Sequence, residues 1–301
     1  MPLQRRARYS RRRFLKDAAL LAAVLPLGPR CASAFLNNAP DRNEEIVCQK
    51  FQLAADPSLQ GKTVGDVMAA IGLSFIGTPY VAQTLEVPGP EHLVVNLQGL
   101  DCTTFVENTL ALSRCVKLNE PTFEAYTKQL QLIRYRSGVI QGYPSRLHYF
   151  TDWIGDNELK EIVRDITRDL GGVPLVKAID FMSTHRKSYR QLSEKSVVDA
   201  ISAAELRLSS AVHSYVPKGD VAGMQDKLRS GDIIAITTSI PGLDVSHTGL
   251  VVEQEGMPYY LHAPLSGGAV QLSKATLASY LAGAGKQTGI IVARPVEPGG
   301  H

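Results

Sequence analysis

The first half of the chain carries apolar residues at helical spacing. After Thr63, the stretch Val64–Phe75 has five apolar residues at i, i+3, i+4, i+7 and i+11. This spacing places all five on one face of an amphipathic helix. The same reasoning predicts helices at about 102–116 and 121–134.

The second half changes character after Gly231, where short apolar runs alternate with turn residues. Such runs predict strands. Helices followed by an antiparallel sheet indicate an α+β fold. The strands are predicted at 232–237, 247–252, 259–263, 268–272 and 290–296, with a short helix at 277–281.

The remaining segments have weaker signals. Leu93–Leu97 is a short strand candidate, and the charged stretch 160–228 is predicted to be mostly helical with one or two strands. The segment 35–60 is interpreted as irregular, and 135–158, where few residues follow a period, as a long ordered loop. No repeat, linker or low-complexity run divides residues 35–301, so we expect a single domain.

Composition narrows the class of protein. The 301 residues are 44% hydrophobic and 20% charged, which is enough to fill a core. The formal net charge is +3, but residues 1–34 hold eight Lys/Arg and one acid, so the rest carries −4. Because the basic excess belongs to the first 34 residues, it gives no support to a nucleic-acid partner.

The N-terminal segment has the three parts of an export signal. Ser10–Lys16 resembles the twin-arginine motif, and Ala18–Leu27 is an apolar stretch too short for a stable membrane span. Ala32-Ser33-Ala34 is a small-x-small cleavage site. We expect a periplasmic protein, cleaved after about Ala34, with no stable membrane insertion afterwards.

Three cysteines remain after the expected cleavage: Cys48, Cys102 and Cys115. An odd number in an exported protein implies at least one free thiol. A Cys48–Cys115 disulfide is left open by the sequence.

Cys102 is the candidate nucleophile. It follows Asp101, a good N-cap, and so occupies the first turn of a predicted helix. The free N–H groups and macrodipole of a helix N-terminus stabilise an anion. We therefore expect a lowered thiol pKa. The alternative is a buried, inert cysteine.

Two histidines are placed to assist it. A four-residue turn over Glu253–Gly256 would put His247 directly opposite His262, with Cβ atoms about 5 Å apart. One ring could then act as general base and the other could orient it. A metal site is disfavoured, since these three residues supply only three ligands without C-x-x-C or H-E-x-x-H spacing. No cofactor or metal is expected.

Five blocks carry a family resemblance. Asp101–Phe105, Ser246–Val251 and Leu261–Pro264 resemble the catalytic blocks of NlpC-type cell-wall hydrolases, and Gly231–Ile233 and Ile76–Tyr80 resemble two further blocks. The resemblance implies a papain-like α+β fold with the nucleophile at a helix N-terminus. It also implies a thioester mechanism and places Tyr80 beside the nucleophile.

The spacing points to one branch of that family. Cys102 and His247 are 145 residues apart, because a mostly helical insertion covers about 117–228. Its runs Ile133–Arg136 and Ser145–Trp153 are similar to an N-acetylmuramoyl-L-alanine amidase-like branch. The resemblance implies cleavage of muropeptides between N-acetylmuramic acid and L-alanine.

Other functions stay open. The same triad would serve a γ-D-glutamyl–diamino acid endopeptidase or a thiol acyltransferase, and a non-catalytic muropeptide-binding protein could keep the fold. For substrate binding we expect Tyr80, Asp101 and Ser246 from the family blocks, and Arg146 and Tyr149 from the insertion. Arginine and aromatic side chains suit the carboxylates and sugar faces of muropeptides. The alternative is that Arg146 pairs with Asp152 and the aromatic residues pack the loop.

Overall fold

The computed structural model describes residues 41–283 and 285–299. The predicted export signal at 1–34 lies outside the described residues. Within the described ranges, no helix is both long and apolar enough to cross a membrane.

The helices of the described chain begin with Arg42 and end with Ala282. Thr63 caps α2 in a reciprocal capping box with Asp66, as the periodic stretch after Thr63 predicts. The bounds are α1 (Arg42–Ala54), α2 (Val64–Leu73), α3 (Cys102–Lys117), α4 (Phe123–Arg134), α5 (Phe150–Leu159), α6 (Phe181–Thr184), α7 (Lys195–Ser210), α8 (Val221–Met224) and α9 (Leu277–Ala282).

The strands form one antiparallel sheet in the order β2-β3-β8-β4-β5-β6-β7, with β1 also pairing β8. The mixture of helices and an antiparallel sheet confirms the α+β prediction. The strand bounds are β1 (Val163–Asp165), β2 (Val173–Leu175), β3 (His213–Pro217), β4 (Ile233–Thr238), β5 (Val245–Gln254), β6 (Met257–His262), β7 (Gln271–Thr276) and β8 (Gln287–Pro295).

Side-chain alternation gives the sheet two apolar faces. Ile233 and Leu250 belong to the core that includes residues of α1, α2 and α3. Ile234 and Val251, one position along each strand, belong to a second core with residues of α8 and α9. Because both faces of β4 are covered, all of its residues are buried. A strand covered on both faces has a nearly continuous apolar sequence.

Each of the segments 35–60 and 135–158 contains a helix, so the interpretation of the first as irregular was wrong for residues 42–54, and that of the second as a loop was wrong for residues 150–158. In α1, Val47, Phe51 and Ala54 are buried at i, i+4 and i+7. In α5, Phe150 and Trp153 stack at 4.8 Å between ring centroids. The spacing in α1 is that of an amphipathic helix, whereas α5 is only ten residues long and has the polar Asn157 at its i+7 position.

The predicted strand Leu93–Leu97 is also wrong, because this stretch makes no ladder. Its backbone groups bond to side chains instead. The carbonyl of Val94 accepts from Arg134 Nη1 at 2.6 Å, and the Leu97 N–H donates to Asn43 Oδ1 at 2.9 Å. Side chains from other elements thus satisfy the backbone groups that a neighbouring strand would otherwise pair.

The charged stretch 160–228 contributes residues to a third, smaller core. Ile179, Met182, Leu192 and Ile201 are buried together in it. Besides α7, this segment supplies β1, β2 and β3, so it holds more strand than the sequence pattern predicts. These strands extend the sheet beyond β8.

Candidate active site

Cys102 is the first residue of α3, as its sequence context predicts. Asp101 caps the helix: its carboxylate accepts from the Thr104 N–H at 2.7 Å, and the Asp101 N–H donates to Thr104 Oγ1 at 2.9 Å. This capping box fixes the backbone on both sides of the cysteine. The Cys102 residue as a whole is half-buried, and its thiol stands at a position that the helix start defines.

The sulfur lies beside β5, near Thr248, the residue that follows His247. The backbone N–H and hydroxyl of Thr248 and the hydroxyl of Thr103 lower the pKa of the Cys102 thiol, but burial and the Asp101 charge outweigh them and raise it. The expected lowering of the thiol pKa by the helix N-terminus is therefore reversed by desolvation. The resting thiol is protonated.

His247 and His262 form a ring-to-ring hydrogen bond. Nε2 of His247 and Nδ1 of His262 are 2.7 Å apart, and the rings are nearly perpendicular, with centroids 4.9 Å apart. His262 is 1% exposed, whereas His247 is half-buried. The two histidines that the sequence places on one face of a hairpin are in direct contact.

Their register differs from the sequence prediction. The hairpin turn has two residues, Glu255 and Gly256, both with positive φ (54° and 77°), as a type I′ turn requires. His262 consequently pairs with Gly249 and not with His247. The shift is two residues, so both histidines keep the same face and meet on the diagonal.

Gly249 makes room for that diagonal contact. A Cβ built on Gly249 would lie 2.5 Å from the Leu261 carbonyl oxygen, 2.8 Å from the Tyr260 ring and 2.9 Å from His262 Cβ. A larger residue would push the His262 strand away. The bare backbone therefore lets the buried imidazole lie against β5.

Burial sets the charge state of both rings. It lowers the pKa of His247 to about 4. Burial, together with the neighbouring His247, lowers the pKa of His262 to about 3. Both imidazoles are neutral at pH 7, so His247 can accept a proton.

Tyr80 and Ser246 border the same region. Burial and the nearby Cys102 and Asp101 raise the pKa of the Tyr80 hydroxyl, so it stays protonated and can donate. Ser246 is exposed and lies at a β-bulge, between positions where His247 pairs with Ile236 and Val245 with Thr237. Bulges of this kind commonly re-aim side chains beside active sites.

Arg146 and Tyr149 lie in the interior instead. Arg146 is 5% exposed and bonds Glu86 at 2.6 Å, with Glu91 at 3.6 Å. The Tyr149 hydroxyl donates to Glu205 at 2.6 Å. These contacts make both side chains supports of the fold, and their role in substrate binding stays a prediction.

The alternative prediction, that Arg146 pairs with Asp152, was wrong. Asp152 pairs with Arg136 at 2.5 Å.

Cys102 and Cys115 form no disulfide, so the Cys48–Cys115 bridge left open by the sequence is not formed. Within the described ranges, no three His, Cys, Asp or Glu side chains are grouped to hold a metal ion.

Three residues of this region escaped the sequence reasoning. Tyr260 precedes His262 by two positions, so strand alternation could have placed it beside that histidine. Thr248 directly follows His247, and alternation alone would put it on the opposite face of the strand. Tyr280 lies on α9 and contacts the His262 ring at 5.1 Å between centroids. No local signal links Tyr280 to the histidines, since only tertiary packing brings α9 over β6.

The chain is similar to proteins of a known family. Residues 70–290 match the AmiA-like family, described as N-acetylmuramoyl-L-alanine amidase-like. No curated protein matches the sequence. A crystal structure named as an N-acetylmuramoyl-L-alanine amidase from Bacteroides uniformis is 38% identical, with a TM-score of 0.73 over 77% of this chain and 99% of its own.

Two further structures are similar. One from Bacteroides fragilis, which carries a provisional xylanase name, is 38% identical, with a TM-score of 0.70 over 74% of this chain and 98% of its own. Protein LPG0564 from Legionella pneumophila, of the DUF1460 family, is 18% identical, with a TM-score of 0.63 over 84% of this chain and 94% of its own. That last likeness concerns the fold alone. On the family match and the 38% identity across nearly the whole Bacteroides structures, the chain belongs to the AmiA-like, N-acetylmuramoyl-L-alanine amidase-like family.

Proposed function

We propose that this protein is an exported cysteine amidase that hydrolyses the amide bond between N-acetylmuramic acid and L-alanine in muropeptides. One observation carries the proposal. A half-buried cysteine stands at the capped start of α3, beside the strand on which His247 hydrogen-bonds His262. A nucleophile, a neutral base and a group that orients the base are the parts of a thiol amidase.

The reaction starts from a neutral thiol and a neutral imidazole. Because desolvation raises the thiol pKa and lowers that of His247, the proton moves as the sulfur attacks. Sγ of Cys102 bonds to the lactyl carbonyl carbon, and His247 takes the thiol proton. The carbon–nitrogen bond then breaks, the same proton goes to the amino group of L-alanine, and the acyl group stays on sulfur as a thioester.

Water completes the cycle. His247 removes a proton from water, the hydroxyl adds to the thioester carbonyl, and the Cys102 sulfur leaves and takes that proton back from His247. The oxyanion formed in each half would be stabilised by the Cys102 backbone N–H, at a helix start where such groups are free. The Tyr80 hydroxyl is the second donor, since its raised pKa keeps its proton in place.

The carboxylate next to Cys102 favours an amidase over a glycosidase, despite the xylanase name of one neighbour. Glycoside hydrolysis commonly needs two carboxyl groups flanking the cut. Asp101 is the carboxylate beside Cys102, and it is bonded to both the N–H and the hydroxyl of Thr104. A carboxylate engaged in capping a helix is poorly placed to deliver a proton.

The predicted export signal at 1–34 carries the protein out of the cytoplasm, and its substrate there is a muropeptide. Residues 35–301 carry a net charge of −4 and no basic surface excess that would hold an anionic polymer. We therefore propose action on soluble or locally exposed muropeptides. Efficient clearing of purified sacculi by the protein would contradict this part of the proposal.

A product assay tests the function. The purified protein is incubated with a defined disaccharide–tripeptide, and products are identified by mass spectrometry. Cys102→Ala is the inactive variant, and Cys48→Ser, which removes a thiol on α1, is the matched control. We expect intact disaccharide plus free tripeptide from the wild type and the control, and neither product from Cys102→Ala.

Other products would point elsewhere. Disaccharide–dipeptide plus free diamino acid would move the cut to the endopeptidase position. An acyl group transferred to an added amine would indicate an acyltransferase. Binding without cleavage would leave a muropeptide-binding protein, and cleavage by Cys102→Ala would remove the thioester mechanism.

A further inference from the structure

The Nε2 nitrogen of His262 is buried and has no hydrogen-bond partner among the described residues. The residue is 1% exposed, and its Nδ1 faces His247. Its Nε2 makes no hydrogen bond to any described residue. A buried polar nitrogen normally has a partner, because leaving it unpaired is costly.

Proton counting fixes which tautomer His262 must adopt. Both rings are neutral, so each carries one N–H. If His262 Nδ1 donated to His247, the single proton of His247 would sit on its own Nδ1, and no ring nitrogen of His247 could take the thiol proton. The base is therefore available only when His247 Nε2 donates to His262 Nδ1, which puts the proton of His262 on Nε2.

Two tyrosine rings contact the His262 ring, in different orientations. Tyr260 stacks on His262, with planes 26° apart and centroids 4.6 Å apart. Tyr280 stands nearly perpendicular, at 76° and 5.1 Å. An N–H lies in the plane of its ring, so a stacked neighbour cannot receive it, whereas a perpendicular ring can present its face to it.

Ring electrostatics then favour one tautomer. The face of an aromatic ring is negative, so it attracts an N–H and repels a bare nitrogen lone pair. We propose that Tyr280 is a positioning residue: its ring face accepts the His262 Nε2–H and so selects the tautomer that leaves His247 Nδ1 free as the base. This inference rests on the proposed function, since it takes His247 to be the base.

A ring-nitrogen spectrum of the full chain tests the tautomer without substrate. In ¹⁵N-labelled protein, signals of His262 are identified by their loss in His262→Gln, and long-range ¹H–¹⁵N couplings show which nitrogen carries the proton. We expect Nε2–H on both His247 and His262. A proton on Nδ1 of His262 would overturn the proposal.

Two matched variants test the role of Tyr280. Tyr280→Phe keeps the ring face and should keep the Nε2–H tautomer. Tyr280→Leu removes it and should give a mixture of tautomers, with kcat lower by about two- to fivefold and KM unchanged, the scale of a weak N–H···π contact. If Tyr280→Leu does not fold, Tyr280→Met serves the same purpose, and thermal unfolding is recorded for each variant.

The outcomes separate the two proposals. An unchanged spectrum in Tyr280→Leu, or an oxygen atom seated on His262 Nε2 in a high-resolution crystal structure, would refute the role of Tyr280 whatever the activity. The Nε2–H tautomer, lost in Tyr280→Leu, in a protein that cleaves no muropeptide would support the role of Tyr280 and refute the proposed function alone.

Discussion

His262 lies directly across the β5–β6 hairpin from Gly249, and the missing side chain of Gly249 leaves the space that the imidazole uses. His247 stands two residues before Gly249 on the same face, so its Nε2 reaches His262 Nδ1 on the diagonal at 2.7 Å. The contact between the two histidines thus depends on a residue that has no side chain.

Gly249→Ala should weaken both stability and activity. The added methyl group would lie 2.5 Å from a backbone oxygen that cannot rotate away. Overpacking of this kind costs about 1–3 kcal/mol, and the displaced β6 would carry His262 with it. Urea unfolding and kcat measure the two effects.

Gly155→Ala is the control for that substitution. Gly155 lies inside α5, and a Cβ there has no neighbour within 4 Å. We expect stability unchanged or raised by up to about 1 kcal/mol, from helix propensity alone. Equal losses in both variants would contradict the argument from close packing.

The acid limb of the pH–rate profile should lie near pH 4. His247 must be neutral to act as base, and burial lowers its pKa to about 4. Activity should persist at pH 5, where an ordinary histidine would be almost fully protonated. The profile of kcat/KM checks this, with circular dichroism to confirm that the protein is folded at each pH. A limb near 6.5 would contradict the buried base.

Stability should fall as the pH drops below about 6.5. Burial lowers the pKa of His148 to about 3, as it does for His262, and that of His247 to about 4. The unfolded chain takes up protons at about 6.5 while the folded protein stays neutral, so acid favours unfolding until the folded rings also protonate. Urea unfolding from pH 7 to 4.5 measures this dependence.

His148→Gln isolates one of these protons. His148 Nε2 donates to the Tyr143 carbonyl at 2.9 Å, and the glutamine amide nitrogen can keep a donor at this position. The variant should take up about one proton fewer on unfolding over the same pH range. An identical pH dependence in wild type and variant would show that His148 does not titrate as its burial indicates.

Arg134→Met should be strongly destabilising. Arg134 and Glu107 are each 1% exposed and bond at 2.7 Å. Removing the cation would leave a buried carboxylate unpaired, at a cost of about 3–5 kcal/mol. Adding Glu107→Leu to Arg134→Met should recover part of that loss, since no lone charge remains. A double-mutant cycle in urea tests this; additive losses would contradict a coupled pair.

Replacing Arg11 and Arg12 by lysine should block export. Twin-arginine signals are read by a receptor that requires the arginine pair, and lysine preserves the charge. Precursor should accumulate in the cytoplasm, as measured by fractionation and immunoblotting. Replacing Arg5 and Arg6, which lie before the motif, is the control and should leave export intact.

The sequence predicted those parts of the fold whose signals are local. Thr63 and Asp101 each cap a helix where their side chains predict one, because capping joins residues three positions apart. Helix α1 was missed although its apolar spacing was present, and the ten-residue α5 has a polar residue, Asn157, at its i+7 position. At Leu93–Leu97 an extended apolar run was read as a strand, but Arg134 and Asn43 reach its backbone from elsewhere in the chain.

The candidate site divides in the same way. By itself the sequence determined the cysteine at a helix start and two histidines on one face of a hairpin, since strand alternation survives a two-residue shift in register. Only the tertiary structure decided the diagonal pairing through Gly249, the burial that reverses the expected thiol pKa, and the packing of Tyr280 on His262. Desolvation and ring contacts depend on which distant segments meet, and no local pattern of residues encodes that.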